Sequence, residues 1–228
     1  MVTVLVAWVG LGVALVLRAR RGGGPPRRRA AGSLFGMALH GVGFGLVFSV
    51  HRQWTGMHAA EFVLTGLAIF LAAVAVLLVG SALRTLGKQW SLAARLLENH
   101  QLITTGPYAL VRHPIYAGFL SLLLATGAAK SGLAATAGAS VLYVIGTFIR
   151  TSREERLLRE AFGAEYEAYA RQVPALLPRI RTGAGPRLVL LCLVTMLPTT
   201  VSAATPALRA TMEGGRKSLA GTHRSHIP

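Results

Sequence analysis

An all-α polytopic integral membrane protein is the fold class this sequence predicts. It has five transmembrane helices, or six if residues 188–205 also span, plus a cytoplasmic amphipathic helix. Three observations predict it. Of 228 residues, 53% are hydrophobic and the mean hydropathy is +0.52, above the apolar share of ordinary soluble domains. The apolar residues gather in long uncharged blocks, as a hydrocarbon layer about 30 Å thick demands. The basic residues then alternate from one connection to the next, as the positive-inside rule requires.

The blocks run Val2 to Leu17, Ala30 to Val50, Phe62 to Leu83, Pro114 to Ala129 and Ser131 to Ile149. No basic residue precedes the first, so it lacks the charged start of a cleavable signal peptide and reads as a membrane helix. Arg18, Arg20, Arg21, Arg27, Arg28 and Arg29 fill the first connection. Arg84, Lys88, Arg95 and Arg112 lie in the third, and eight arginines lie from Arg150 to Arg187. The second and fourth connections carry only Arg52 and Lys130. This pattern puts the N-terminus outside and the odd connections, with the stretch after Ile149, in the cytoplasm. It also accounts for the net charge of +16 without nucleic acid, which is not expected as a partner. The bilayer is.

The link Arg20 to Arg29 is rich in glycine, proline and arginine and reads as flexible and drawn to anionic headgroups. In the second block, Gly32/Gly36 and Gly41/Gly45 place small residues four apart, a pattern that admits a neighbouring helix closely. His40 lies between them. An ionisable residue at that depth is a functional candidate by default, and the plainer reading is a neutral histidine bonded to another helix. Arg84 to His113 is long for a simple connection and contains Trp90, His100, Tyr108 and a Gly106-Pro107 turn. From Thr151 to Gln172, Leu157, Leu158, Ala161, Phe162, Tyr166 and Tyr169 recur at helical spacing. That predicts an amphipathic helix interrupted near Gly163 and ended by Val173-Pro174. Beyond Arg187 a half-apolar segment fits a sixth span or an interfacial stretch equally by length. Pro206 to Pro228 reads as a disordered tail, and His223 and His226 in it lack metal-ligating partners. Cys192 is the only cysteine, so neither a disulfide nor a cysteine metal site is expected within the chain. No metal site is expected at all.

Chemistry concentrates where the fourth helix starts. Pro114 suits the first helical position, which makes His113 the cap and leaves the N–H groups of Ile115, Tyr116 and Ala117 open to an anionic group. His113 and Tyr116 share a face, with Arg112 beside them. Arg150 and Glu154, four apart, stand where the fifth helix leaves the membrane at the same depth. These residues fit a site for a charged ligand with a hydrophobic portion. They fit equally a ring of interfacial arginines with an aromatic anchor.

The stretch "HQLITTGPYALVRHPIYAG" (His100 to Gly118), followed by "EERLLREAFGAEYEAYARQVPALLPRI" (Glu154 to Ile180), resembles the isoprenylcysteine carboxyl methyltransferase family, a group that takes in phospholipid and bacterial membrane methyltransferases. "LGKQWS" (Leu86 to Ser91) resembles the segment this family carries earlier. The resemblance implies S-adenosylmethionine as cofactor. It implies cofactor binding by His100, Gln101, Leu102, Ile103, Tyr108, His113, Pro114, Ile115, Tyr116 and Glu154. Arg150 and Glu154 would act in catalysis, and Arg150, with the neighbouring Arg112, would hold the substrate. The chain would divide into helices one to three (1–83), a methyltransferase core (84–181) and a C-terminal extension (182–228). There are departures: Ala93 stands where the animal enzymes have a glutamine, and Ser152-Arg153 replaces an acidic run.

The activity implied is methyl transfer to a lipidic or small hydrophobic acceptor, in the first instance a prenylcysteine carboxylate. A phospholipid amine or a thiol is the alternative acceptor. A sterol-reductase-like enzyme and a transporter are the competing classes. The absence of paired broken helices or internal repeats speaks against the transporter.

Overall fold

A computed structural model describes residues 1–20, 26–29, 33–52, 59–87, 95–97 and 101–178. In chain order these form α1 (Val2–Arg20), β1 (Pro26–Arg29), α2 (Ser33–Ser49), α3 (Ala59–Leu86), β2 (Arg95–Leu97), a 3-10 turn (Gly106–Ala109), α4 (Pro114–Lys130) and α5 (Leu133–Gln172). Each predicted apolar block is therefore a helix. By length and composition α1, α3 and α5 are long and apolar enough to cross a membrane, and α2 and α4 are shorter apolar helices. Residues 188–205, the tail histidines, His100 and Ala93 lie outside the described residues.

Two features depart from expectation. The Arg-rich link contributes a strand, β1, which pairs antiparallel with β2 in the register Pro26↔Leu97 and Arg29↔Arg95. The expected separate amphipathic helix is the continuation of α5, which runs past Ile149 and changes direction at Gly163 (φ 50°, ψ −120°). Only a residue without Cβ takes that backbone conformation easily. The alternation of apolar and charged residues after Thr151 falls within a helix, α5. It carries no signal for where one helix ends, because Arg150 and the residues after it favour helix as well.

The helices pack as two groups. Val79, Ala75, Ala72 and Ala68 of α3 meet Leu122, Ala125 and Ala129 of α4, and Val4, Ala7 and Leu11 of α1 complete that core. In the second group, Val47 of α2 meets Leu123 of α4 and Ala139 and Tyr143 of α5. Trp8 ties the groups together: its indole N–H donates to Thr126 Oγ1 at 3.1 Å and its ring meets Phe44 edge-on at 4.7 Å.

The close approach of α2 to α5 uses one member of a four-apart pair, Gly36, together with Gly43, which belongs to neither pair. A Cβ on Gly36 would lie 2.7 Å from the Gly146 carbonyl oxygen, and one on Gly43 would lie 3.0 Å from that of Ala139, whereas Gly41 and Gly45 face open space. The contact spacing is thus seven on both helices, two turns of an α-helix. Gly118 serves α3 and α4 in the same way: a Cβ there would lie 2.6 Å from Val79 Cγ2 and 3.3 Å from the Ala75 carbonyl oxygen. Gly118→Ala is accordingly expected to cost about 1–3 kcal/mol by overpacking. Val79→Ala should restore part of the loss in a thermal melt. An unchanged melt of Gly118→Ala would mean that the two helices can move apart freely.

Candidate active site

Thr105 leads into the 3-10 turn, whose first residue, Gly106, has φ 61°. The turn lies at the end of α3, and a Cβ on Gly106 would sit 3.0 Å from Thr85 Oγ1. Pro107 and Tyr108 are buried. The chain then reverses into α4, with His113 as N-cap (φ −124°, ψ 62°) and Pro114 as the first helical residue. No side chain caps this helix start. The backbone N–H of Arg112 donates to the Pro174 carbonyl at 2.8 Å and that of His113 to Ala175 at 3.0 Å. The segment following α5 therefore lies along the approach to α4.

Arg150, Glu154 and Glu155 face this helix start from α5. Successive residues of an α-helix point about 100° apart, so the two glutamates meet different partners. Glu154 Oε1 accepts from the Tyr116 hydroxyl at 2.6 Å, and its Oε2 stands 3.8 Å from His113 Nδ1. Arg150 Nε donates to the same Tyr116 oxygen at 2.9 Å, and Arg150 Nη2 lies 4.0 Å from Glu154. The guanidinium also covers the Tyr116 ring at 5.7 Å. Tyr143 donates to the Tyr116 carbonyl at 3.0 Å, which holds the first turn of α4 against α5.

Glu155 binds the other half of the cluster. Its Oε1 accepts from Arg112 Nε (3.1 Å) and Nη2 (2.8 Å) and lies 3.0 Å from His113 Nε2. Its Oε2 accepts from Arg159 at 3.2 Å. Burial opposes ionisation of Glu155, which lies beyond the apolar part of α5. The hydrogen bonds and positive charge of His113 and Arg112 prevail, holding its carboxyl at about 2 against an ordinary 4.5. Arg112 also donates through Nη1 to the Ala170 and Val173 carbonyls, at 2.9 and 2.6 Å. Tyr169 donates to the Tyr108 carbonyl at 2.7 Å, and Arg159 reaches Glu167 across the Gly163 bend at 2.8 Å. These contacts stitch the end of α5 onto residues 108–113. Burial first, and the negative charge of Glu154 next, push the Tyr108 phenol upward so that it stays protonated.

Of the residues the sequence singled out, Arg112, His113, Tyr116, Arg150 and Glu154 form one connected cluster. Tyr108 adjoins it through Tyr169, Pro114 and Ile115 build the helix start, and Gln101, Leu102 and Ile103 precede the turn, the first exposed and the others half-buried. Arg112, expected at a substrate, has its guanidinium on Glu155 and two carbonyls. His40 of α2 stacks on Tyr143 at 4.4 Å and bonds Thr147 Oγ1 of α5 at 3.0 Å, so it joins these helices one layer deeper. Sequence reasoning missed Glu155. Its adjacency to Glu154 and its spacing of four from Arg159 were the only available signs. Among the described residues no group of His, Cys, Asp and Glu is placed to hold a metal ion.

Residues 66–160 match the family model described as the isoprenylcysteine carboxyl methyltransferase (ICMT) family. The chain is 35% identical to the cobalt-zinc-cadmium resistance protein CzcN of Cupriavidus metallidurans over 133 residues, 57% of this chain and 56% of that protein. It is 34% identical to the protein-S-isoprenylcysteine O-methyltransferase of Schizosaccharomyces pombe over 102 residues, 44% of this chain and 43% of that one. With the methanethiol S-methyltransferase of Pseudomonas deceptionensis it shares 40% over 78 residues, 34% of this chain and 29% of that one. The matches thus span about half the length of these relatives or less. The matched residues 66–160 hold Tyr116, Arg150, Glu154 and Glu155, so the similarity to the isoprenylcysteine carboxyl methyltransferase family runs through this cluster.

Proposed function

We propose that this protein is a membrane-embedded methyltransferase that uses S-adenosylmethionine and acts on a lipidic or small hydrophobic acceptor. The observation that carries the proposal is Glu154. It is the carboxylate of the cluster with accessible surface, 24% against 11% for Glu155, and it stands at an uncapped, proline-started helix terminus beside Tyr116 and Arg150. The methyl donor carries an ammonium, a carboxylate and a sulfonium. Glu154 suits the ammonium, the N–H groups at the start of α4 suit the carboxylate, and the Tyr116 ring suits a sulfonium cation. The residues present therefore fit the group. Tyr108, Pro114, Ile115 and Gln101–Ile103 would wall the same site, and His100 joins them by the resemblance alone.

The donor, when bound, supplies an already activated methyl group. What the chain adds is alignment of the acceptor with it. Arg150 is the cation facing the acceptor side, held against the Tyr116 oxygen and ring. The bilayer explains why the enzyme is embedded, since a hydrophobic acceptor enters sideways while the donor comes from the water. Five helices span, with the N-terminus outside and this site facing the cytoplasm, where the arginines cluster. An acceptor bearing a carboxylate would pair with Arg150. Relatives named for methanethiol favour a thiol as the second choice.

Labelled methyl from S-adenosylmethionine, offered with a panel of prenylcysteines, phospholipids, fatty acids and thiols, tests the proposal. Transfer to at least one acceptor is expected from protein in nanodiscs. Absence of both transfer and donor binding by the wild type would overturn it.

A further inference from the structure

His40, an ionisable residue within the apolar helix α2, has no part in the proposed function. α2 lies outside residues 66–160, yet it forms the wall behind the candidate site. The Arg150 stem lies against its backbone, since a Cβ on Gly36 would meet Arg150 Cγ at 2.6 Å. One turn further on, the His40 ring fits against Gly146, where a Cβ would lie 2.8 Å from His40 Cδ2. The ring stacks on Tyr143 with centroids 4.4 Å apart and planes at 21°, and its Nε2 lies 3.0 Å from Thr147 Oγ1. Tyr143 is buried, and its hydroxyl donates to the Tyr116 carbonyl at 3.0 Å. The Tyr116 ring itself lies 6.0 Å from that of His40. A polar side chain inside an apolar helix is costly, and a leucine would fill this gap between two helices. What histidine adds is a flat face for Tyr143 and a bond to a fully buried hydroxyl, Thr147.

On the methyltransferase reading, we propose that His40 is a positioning residue of the active site, acting through Tyr143 to fix the pose of Tyr116. The stack sets where the Tyr143 hydroxyl points, and that hydroxyl fixes the first turn of α4 at the Tyr116 carbonyl. The Tyr116 hydroxyl is thereby kept where it holds Glu154 at 2.6 Å and Arg150 at 2.9 Å. Thr147 and Gly146 anchor the imidazole on the same turn of α5 that leads to Arg150, so ring and guanidinium are held by one stretch of helix. Methyl transfer tolerates little misplacement of acceptor against donor. A loosened Tyr116 therefore lowers turnover more than it lowers binding of either partner.

The test compares wild type with His40→Leu, which keeps packing volume, and His40→Gln, which keeps polarity; both lack the flat face under Tyr143. All are assayed in nanodiscs with S-adenosylmethionine and the same panel of prenylcysteines, phospholipids, fatty acids and thiols. At saturating donor and acceptor, kcat should fall about 10-fold in both variants. Acceptor KM, and donor affinity by calorimetry, should stay within about threefold, too little to account for the lost turnover. Tyr143→Phe keeps the ring and removes the hydroxyl, so its double variant with His40→Leu should be no slower than the slower single variant. Val47→Ala, a packing loss between the same helices two turns away, should lower the melting temperature and leave turnover of the folded protein unchanged. Without donor or acceptor, ¹³C-tyrosine spectra carry five signals to assign. His40→Leu should move those of Tyr143 and Tyr116 and leave those of Tyr166 and Tyr169 in place. An unmoved Tyr116 signal, an unchanged kcat, losses that multiply in the double variant, or an equal loss of turnover in Val47→Ala would overturn the inference. Wild-type protein that binds no donor would instead sink the methyltransferase reading, and the tyrosine spectra would still decide whether His40 sets the pose of Tyr116.

Discussion

Glu154→Ala is expected to weaken S-adenosylmethionine binding by roughly 10- to 100-fold, read by calorimetry, because a hydrogen bond between charged groups contributes about 1.5–3 kcal/mol. The fold should survive. Tyr116 keeps Arg150 Nε at 2.9 Å after its glutamate partner is gone, and Glu154 is the half-exposed member of the acidic pair. Tyr116→Phe should lose less. It keeps the ring that suits a sulfonium and removes the hydroxyl that holds Glu154 and Arg150 in register. Unaltered donor affinity in Glu154→Ala would remove the basis for placing the donor between α4 and α5.

Glu155→Ala should do the opposite, unfolding the cluster more than it weakens a ligand. Arg112 is 14% exposed and would lose its carboxylate while its charge stayed buried. Breaking such a pair from one side costs about 3–5 kcal/mol. The same pair sets an acid limit. Because the folded carboxyl is held at about 2 and not 4.5, its contribution is fully present above pH ~4.5 and is lost as pH falls toward ~2, on the order of 3 kcal/mol in all. Thermal melts from pH 6 to pH 2 should show this slope in the wild type and lose it in Glu155→Gln. An identical slope in both would place the acid sensitivity elsewhere.

The helix-start half and the anchoring half of this site were unequally legible beforehand. Pro114 announces a helix start, and Tyr116 lies three residues from His113, so that half follows from local rules. Arg112 misleads, since an arginine beside a histidine at a membrane surface looks available for a ligand. Its partners Glu155, Ala170 and Val173 lie 43, 58 and 61 residues away. No periodicity within α5 says that Glu155 faces Arg112, or that the chain beyond Gly163 brings the Ala170 and Val173 carbonyls to it. The glycines behave similarly. Four-apart pairs predicted close packing by α2, and Gly36 of one pair does meet α5, but its companion there is Gly43 and not Gly41 or Gly45, because the choice depends on which face the partner approaches.

By itself, then, the sequence determined the class of protein. Hydropathy set the helices, the alternation of arginines set an expected orientation, and Pro114, Gly106 and Gly163 set where the chain turns, since these effects act through solvent and backbone within a few residues. The tertiary structure alone decided the division of labour between adjacent glutamates. Neighbours on a helix point about 100° apart, so Glu154 meets Tyr116 while Glu155 meets Arg112 and His113. Which of them anchors and which faces a ligand depends on what the packed helices bring opposite each.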